Sequence, residues 1–338
     1  MTAGKIDVLF INGIRDNGTV DVIRTNPRGK MVFSTGGSCH VATFVPPERI
    51  NVHHFAIDCH AHQEVDINYI LKHDIVFCEI ADPDSHSAAL KKARYLFDTL
   101  HDKIPWINDP HQLLITRREK VPELLSGIEG IVAPRTLRIK PGSIPDLKSA
   151  IETNRLSLPV LLRPAGSHGG ENLVLIEHFD DLNSLDVAKY SEAFITEFFD
   201  FGSNGIYSKY RFAVVAGEPL LRHVLSNDQW MVHSEARAFT ASKPELREAE
   251  AEIIKHFDQG LKLEVQDRIR QIHERIGLDY FGIDCAIKDG KLILFEVNAN
   301  MNILNNNQPV PNIWEEAIDT IRNKIMNKLI LPRARSSA

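Results

Sequence analysis

Apolar residues fall along this chain in short strand-like runs, separated by longer segments with helical spacing. "IDVLFI", "VHHFAI" and "DIVFCEI" read as buried strands, and "SAALKKARYLFDTLH" as a helix between the last of them and "PWINDP". That alternation predicts a parallel, Rossmann-like α/β lobe over residues 1–112. "HQLLITRREKVPELLSG" reads as helical and "PVLLRPAGSHGGENLVLIE" as strand, glycine loop, strand, giving a small central lobe over 113–190. A third lobe, 191–330, opens on "EAFITEFFDF" and continues with "YRFAVVAGEPLLRHVL", a strand pair turned at Gly217. Leu246, Ala249, Ile253, Phe257 and Leu261 then recur at helical spacing, as do Ile269, Ile272 and Ile276, and "WEEAIDTIRNKIMNKLIL" makes a last helix.

One run breaks its own pattern. "LILFEVNANMN", residues 292–302, begins as a buried strand, yet Glu296 interrupts it and Asn298, Asn300 and Asn302 follow. Upstream, "FGIDCAIKDGK" carries Asp284 and the turn pair Asp289-Gly290, so the two runs read as a hairpin. With a strict two-residue loop, Asp284 would oppose Phe295 and face away from Glu296. One extra loop residue or a bulge sets the two acids opposite each other. Asp284, Glu296 and the Asn298 amide oxygen would then converge as the all-oxygen set that Mg²⁺ or Mn²⁺ accepts. The alternative is an ordinary hairpin with an acid at its solvent end.

Composition narrows the class. Over 338 residues, 43% hydrophobic and 25% charged positions describe a globular chain large enough for two or three lobes, and a formal charge of -6 argues against coating nucleic acid. Cys39, Cys59, Cys78 and Cys285 are scattered without metal or redox spacing, which suits a reducing cytoplasm. Neither a signal peptide nor a membrane span is expected, because Asp7 and Asn12 break the first apolar run.

Two loops carry candidate chemistry. "RPAGSHGG", with Gly166, Ser167, His168, Gly169 and Gly170, lets backbone amides approach a phosphate, and Arg163 stands at the end of the preceding strand; a plain glycine-rich turn reads the same way. In "ITEFFDFGSN", Glu197, Phe198, Phe199 and Asp200 suit a hinge that reads an adenine edge, or simply a strand passing into a turn. The histidines of "CHAH" match no closed zinc site, and Ser85-His86 beside Asp82 and Asp84 reads as a surface turn without a nucleophile elbow.

Taken in order over roughly 105–305, these blocks resemble the ATP-grasp superfamily, in particular glutathione synthetase and the ribosomal-protein glutamate ligases. "WINDPHQLLITRREK" is similar to the first phosphate block, "LPVLLRPAGSHGG" to the second with its flexible loop, "FITEFFDF" to the adenine hinge, and "GIDCAIKDGKLILFEVNANMN" to the metal-binding end. The resemblance implies an ATP-grasp fold of mixed α/β and α+β class, a Rossmann-like lobe followed by two lobes that clasp ATP. It implies Lys120 and Arg163 on phosphates and one or two Mg²⁺ (or Mn²⁺) ions on Asp284, Glu296 and Asn298. The sequence departs from the family at Arg163, usually lysine, and at Lys209, where a ribose-binding acid is common.

The activity so implied is an ADP-forming carbon-nitrogen ligase: ATP converts a carboxylate to an acyl phosphate, and an amine displaces phosphate to give an amide. Arg211, Arg222, His233 and Arg237 are candidates to hold the carboxylate or acyl phosphate, and Asn300 to touch substrate after the metal turn. A small acid and an amino acid or short peptide are the expected partners, with self-association left open. An ATP-grasp phosphotransferase and a non-catalytic nucleotide-binding regulator are the alternative readings.

Overall fold

The computed structural model describes residues 4–37, 39–60, 64–167, 170–233, 236–299 and 301–335. The first lobe contains β1 (Ile6–Gly13), a hairpin of β2 (Asp21–Thr25) and β3 (Met31–Ser34), then β4 (Ile50–Ile57), β5 (Ile75–Cys78) and β6 (Trp106–Ile107). Strands β4, β1, β5 and β6 form an all-parallel sheet in that order. β1 and β5 are apolar almost throughout because the sheet is covered on both faces. Helix Ser87–Leu100 buries Ala89, Leu90, Ala93, Leu96 and Leu100, the stripe that the 3.6-residue period requires.

Asn108 fastens this lobe to the third. It is fully buried with φ 60°; its Nδ2 donates to the Tyr280 carbonyl and its Oδ1 accepts from the Tyr280 amide, both at 2.9 Å. The amide thereby acts as one more backbone rung, and Asp109 beside it caps the turn Pro110–Leu113 through the His111 amide. The following segment, expected to be one helix, is instead two single turns, Pro110–Leu113 and Val121–Leu124, joined through a 3₁₀ turn and extended backbone at Arg117. Pro122 fits only the first turn of a helix, which forces a fresh start there.

A small strand, β7 (Ile131–Val132), leads into a four-stranded antiparallel sheet of β8 (Thr136–Ile139), β9 (Val160–Pro164), β10 (Val174–Ile176) and β11 (Ala193–Glu197), in the order β10-β9-β11-β8. The "FITE" strand, read from sequence as opening the third lobe, therefore hydrogen-bonds within this second sheet. Arg138 on β8 ties the sheet outward: it binds Glu119 (3.0 Å), Glu192 (2.8 Å) and Asp84 of the first lobe.

The third sheet runs β13 (Glu218–Asn227), β12 (Tyr207–Val215), β14 (Tyr280–Lys288), β15 (Lys291–Asn298), with β7 parallel at its edge. On one face Phe212, Val214, Phe281 and Ile283 share a core with Val265, Ile269, Ile272 and Ile276 of helix Leu261–Ile276. Each of these apolar side chains contributes roughly 1.5–3 kcal/mol by leaving water. On the other face Ala213, Val215 and Tyr280 pack with Ile318, Ile321 and Leu329 of the C-terminal helical segment. That second core covers only one end of the sheet. At the other end the same face is polar and looks into a cleft.

Candidate active site

The hairpin β14/β15 turns through two residues, Asp289 (φ 50°) and Gly290 (φ 69°), with Lys288 opposite Lys291. Kept to the end, that register would place Asp284 against Phe295. A bulge resets it: Cys285 pairs with Leu294, but Asp284 pairs with Glu296, and Phe295 is the extra residue. The same register aligns Asp284 with Arg211 on β12 and Arg211 with His223 on β13. His223, Arg211, Asp284 and Glu296 thus form one row across four strands, on the face that looks into the cleft.

The row is closely bonded, with Arg211 beside Asp284 and the two carboxylates of Asp284 and Glu296 next to each other. Arg211 grips Asp284 with two donors, Nε to Oδ1 at 2.7 Å and Nη2 to Oδ2 at 2.8 Å, and Lys209 Nζ lies 3.3 Å from Oδ2. Glu296 Oε1 accepts from Arg118 Nη2 at 2.5 Å and from Asn298 Nδ2 at 2.9 Å. Burial by itself would raise both carboxyls. The charges of Arg211 and Lys209 overcome it at Asp284, and that of Arg118 at Glu296, so each is held below the usual carboxylate range.

These acids lie in a cavity of about 930 Å³ between the sheets. Arg163, Gly166, Gly170, Glu197, Phe198, Phe199, Arg211, His233, Arg237, Asp284, Glu296 and Asn298, all singled out from sequence, line it together. Arg163 turns its Nη2 onto the Ser167 carbonyl while its buried Nε has no partner among the described residues; burial and the nearby charge of Arg118 lower its guanidinium to about 10, against the pull of Glu296. Gly170, at φ 84°, brings the glycine loop up to the facing segment, where a Cβ would stand 3.1 Å from the His233 ring and 3.6 Å from Met231 Sδ. Phe198 meets Trp230 edge-on at 5.7 Å, and both rings line the cavity.

Other expected residues lie elsewhere. Lys120 is exposed at the start of the turn Val121–Leu124 and does not line the cavity; Arg118, two positions earlier, does. Asp200 caps its own turn through the Gly202 amide, and its carbonyl accepts from Lys288. Arg222 is buried behind the cleft, its Nε on the Ile303 carbonyl (2.6 Å) and Nη2 on that of Asn305 (3.1 Å), with Nη1 left without a partner among the described residues. Lys209, where the family commonly has a ribose-binding acid, does line the cavity but is spent on Asp284. His168, Gly169 and Asn300 lie outside the described residues.

Sequence reasoning passed over Arg118, His223, Trp230 and the rim given by the first lobe, where Arg15, Gly36, Gly37, Asp82 and Ser85 reach the cavity. Ser85-His86 is no surface turn. His86 is fully buried, with Nδ1 2.8 Å from Ser85 Oγ and Nε2 3.1 Å from the Thr35 carbonyl. Its signal was hidden because the partner carbonyl is 51 residues away. Among the described residues no three His, Cys, Asp or Glu side chains gather as a metal cage, and no helix is long and apolar enough to cross a membrane.

Gly282, opposite Asn298 in the register, offers a direct check on this corner. A Cβ there would stand 2.5 Å from Met301 Cβ and 2.6 Å from its Sδ. Gly282→Ala is expected to cost about 1–3 kcal/mol of stability by overpacking. Urea denaturation measures it, and an unchanged midpoint would show that the segment after Asn298 yields freely.

No protein-family model matches the chain, and no curated protein matches it in sequence. Solved structures do match. The D-Ala:D-Ser ligase VanG of Enterococcus faecalis is 12% identical with a TM-score of 0.52, over 96% of this chain and 99% of that one. The D-alanine–D-alanine ligase of Bacillus anthracis, solved with ATP, is 14% identical at 0.50, over 94% and 99%. The N5-carboxyaminoimidazole synthetase of Staphylococcus aureus, solved with ADP, is 14% identical at 0.50, over 89% and 72%. The likeness is one of architecture, and by it this chain has the ATP-grasp fold.

Proposed function

We propose that the protein is an ATP-dependent carboxylate-amine ligase that forms an amide through an acyl phosphate. The observation that carries this reading is the bulged register that sets Asp284 and Glu296 side by side in a cleft with Arg118 and Arg163, below the glycine loop. In the neighbours named above, ATP and ADP are ligands of ligases with this fold. Here the adenine would lie by Phe198 and Trp230, and the triphosphate toward Arg163 and Arg118.

Two carboxylates and an amide oxygen are a donor set that fits Mg²⁺, and Asp284, Glu296 and Asn298 would hold it. Bound there, the ion would neutralise phosphate charge. Arg118 and Arg163 offset the negative charge that builds on the transferring group, and Gly166 and Gly170, which line the cavity, would limit access of water to the acyl phosphate. Arg211 and Arg237 stand where the substrate carboxylate would dock. The buried Arg237 Nε has no hydrogen-bond partner among the described residues and would be available to an anion.

Purified protein given Mg²⁺ and ATP with mixtures of amino acids, small acids and short peptides is expected to release ADP and phosphate with a new amide mass. Hydroxylamine should trap the acyl phosphate as a hydroxamate when the amine is omitted. AMP and pyrophosphate would exclude the acyl-phosphate route. A stable phosphoester would identify a phosphotransferase, and ATP binding without turnover a regulator.

A further inference from the structure

Resting on the ligase reading, one step is still unassigned. An amine substrate is an ammonium ion at neutral pH and has no lone pair until a proton leaves. The two carboxylates on the sheet face of the cleft are poor acceptors, since Asp284 is held by Arg211 and Lys209 and Glu296 by Arg118. Glu250, nearby on helix Pro244–Lys255, accepts the Trp314 indole N–H (2.8 Å) and the Val224 amide (3.0 Å).

His223 is differently placed. It is 2% exposed, lies on the cavity wall, and its Nε2 is buried with no hydrogen-bond partner among the described residues. Leaving such a nitrogen unmatched costs free energy, so its persistence at a cleft wall points to a ligand. Strand β12 separates it from Asp284, with Arg211 between the two in register. The charged groups around it are Arg211 on β12, Arg222 on its own strand, Arg237 on helix Ala236–Ala241, Asp284 on β14 and Glu250 behind. Burial first, then Arg211 and Arg222, push its basicity far down, so the ring is uncharged at neutral pH. Arg211 and Arg237 line the cavity, so a bound acyl phosphate would offset their charge, and the imidazole gains basicity when the substrate is in place.

We propose that His223 Nε2 accepts the proton from the ammonium group of the amine substrate. The freed lone pair attacks the acyl carbon, the C–N bond forms, and the bond from that carbon to the phosphate oxygen breaks. The second nitrogen proton leaves with the departing phosphate, and the proton on His223 returns to water.

The test separates amine transfer from activation. Hydroxylamine is uncharged at neutral pH and needs no base, so His223→Gln is expected to keep ATP-dependent hydroxamate formation while losing roughly 10²- to 10⁴-fold in amide formation. The deficit should shrink as pH rises and solvent deprotonates the amine. His223→Asn, smaller and also polar, carries the test if the glutamine variant fails to fold. Equal losses of hydroxamate and amide, unimpaired amide formation, or a deficit that is constant with pH would overturn the assignment. Absence of hydroxamate with the unaltered protein would overturn the ligase reading itself, and this step with it.

Discussion

Glu296→Gln is expected to lower ATP-dependent turnover by about 10²- to 10³-fold, the size of effect seen when one preorganised electrostatic partner of a transferring group is removed. The substitution deletes one negative charge and almost no volume. Its Oε1 can still accept from Arg118, so the fold should survive with little change in melting temperature. What changes is the balance at the cleft floor: Arg118 and Arg163 would face one carboxylate fewer, and the oxygen set of Asp284, Glu296 and Asn298 would lose much of its hold on a divalent cation. Steady-state release of ADP and calorimetric titration with Mg²⁺ and ATP measure the two effects. Activity within about threefold of the unaltered protein would remove the "LILFEVNANMN" strand from the chemistry.

Glu79→Gln is expected to remove a large pH dependence of stability. Glu79 ends the run of β5 at 1% exposure, accepting the Ala42 amide at 3.0 Å and Asn12 Nδ2 at 3.2 Å. Burial pushes its carboxyl up from 4.5 to about 7, against the lowering effect of the Ala42 and Val41 amides. Between those values the folded chain keeps a proton that the unfolded chain has released, so stability falls as pH rises through the window. At 1.36 kcal/mol per unit the loss is roughly 3 kcal/mol, fully developed above pH 7. A glutamine does not titrate, and its carbonyl can take the Ala42 amide while Asn12 turns its own oxygen to the new NH₂. The variant should therefore be more stable than the parent at pH 8 by up to that amount, with little difference at pH 5. Denaturant titrations at the two pH values decide it. A parent protein with the same pH profile as the variant would mean that Glu79 is ionised in the folded state.

The elements of this protein were written in local pattern. Alternation marked β14 and β15, Asp289-Gly290 marked their turn, and the 3.6-residue stripe of Ile269, Ile272 and Ile276 marked the helix that covers one face. The sequence also posed the choice at this hairpin: Asp284 and Glu296 share a face only with an extra loop residue or a bulge, and the structure has the bulge.

Which side chains meet in the cleft was another matter. In "TRREK" three cations lie within four residues, and only the chain's departure from helix at Arg117 sends Arg118 to Glu296 while Lys120 faces solvent. "FITE" has the same strand pattern whichever sheet receives it; its pairing with β8 and β9 places Phe198 and Phe199 on the cavity wall. His223 sits in an apolar run and looks structural until β12 sets it beside Arg211. Periodicity is a property of neighbours along the chain and is therefore legible there. Partnership across strands depends on register, and a single extra residue such as Phe295 or Arg222 turns every side chain beyond it to the other face, so the cleft is decided only when the sheets have closed.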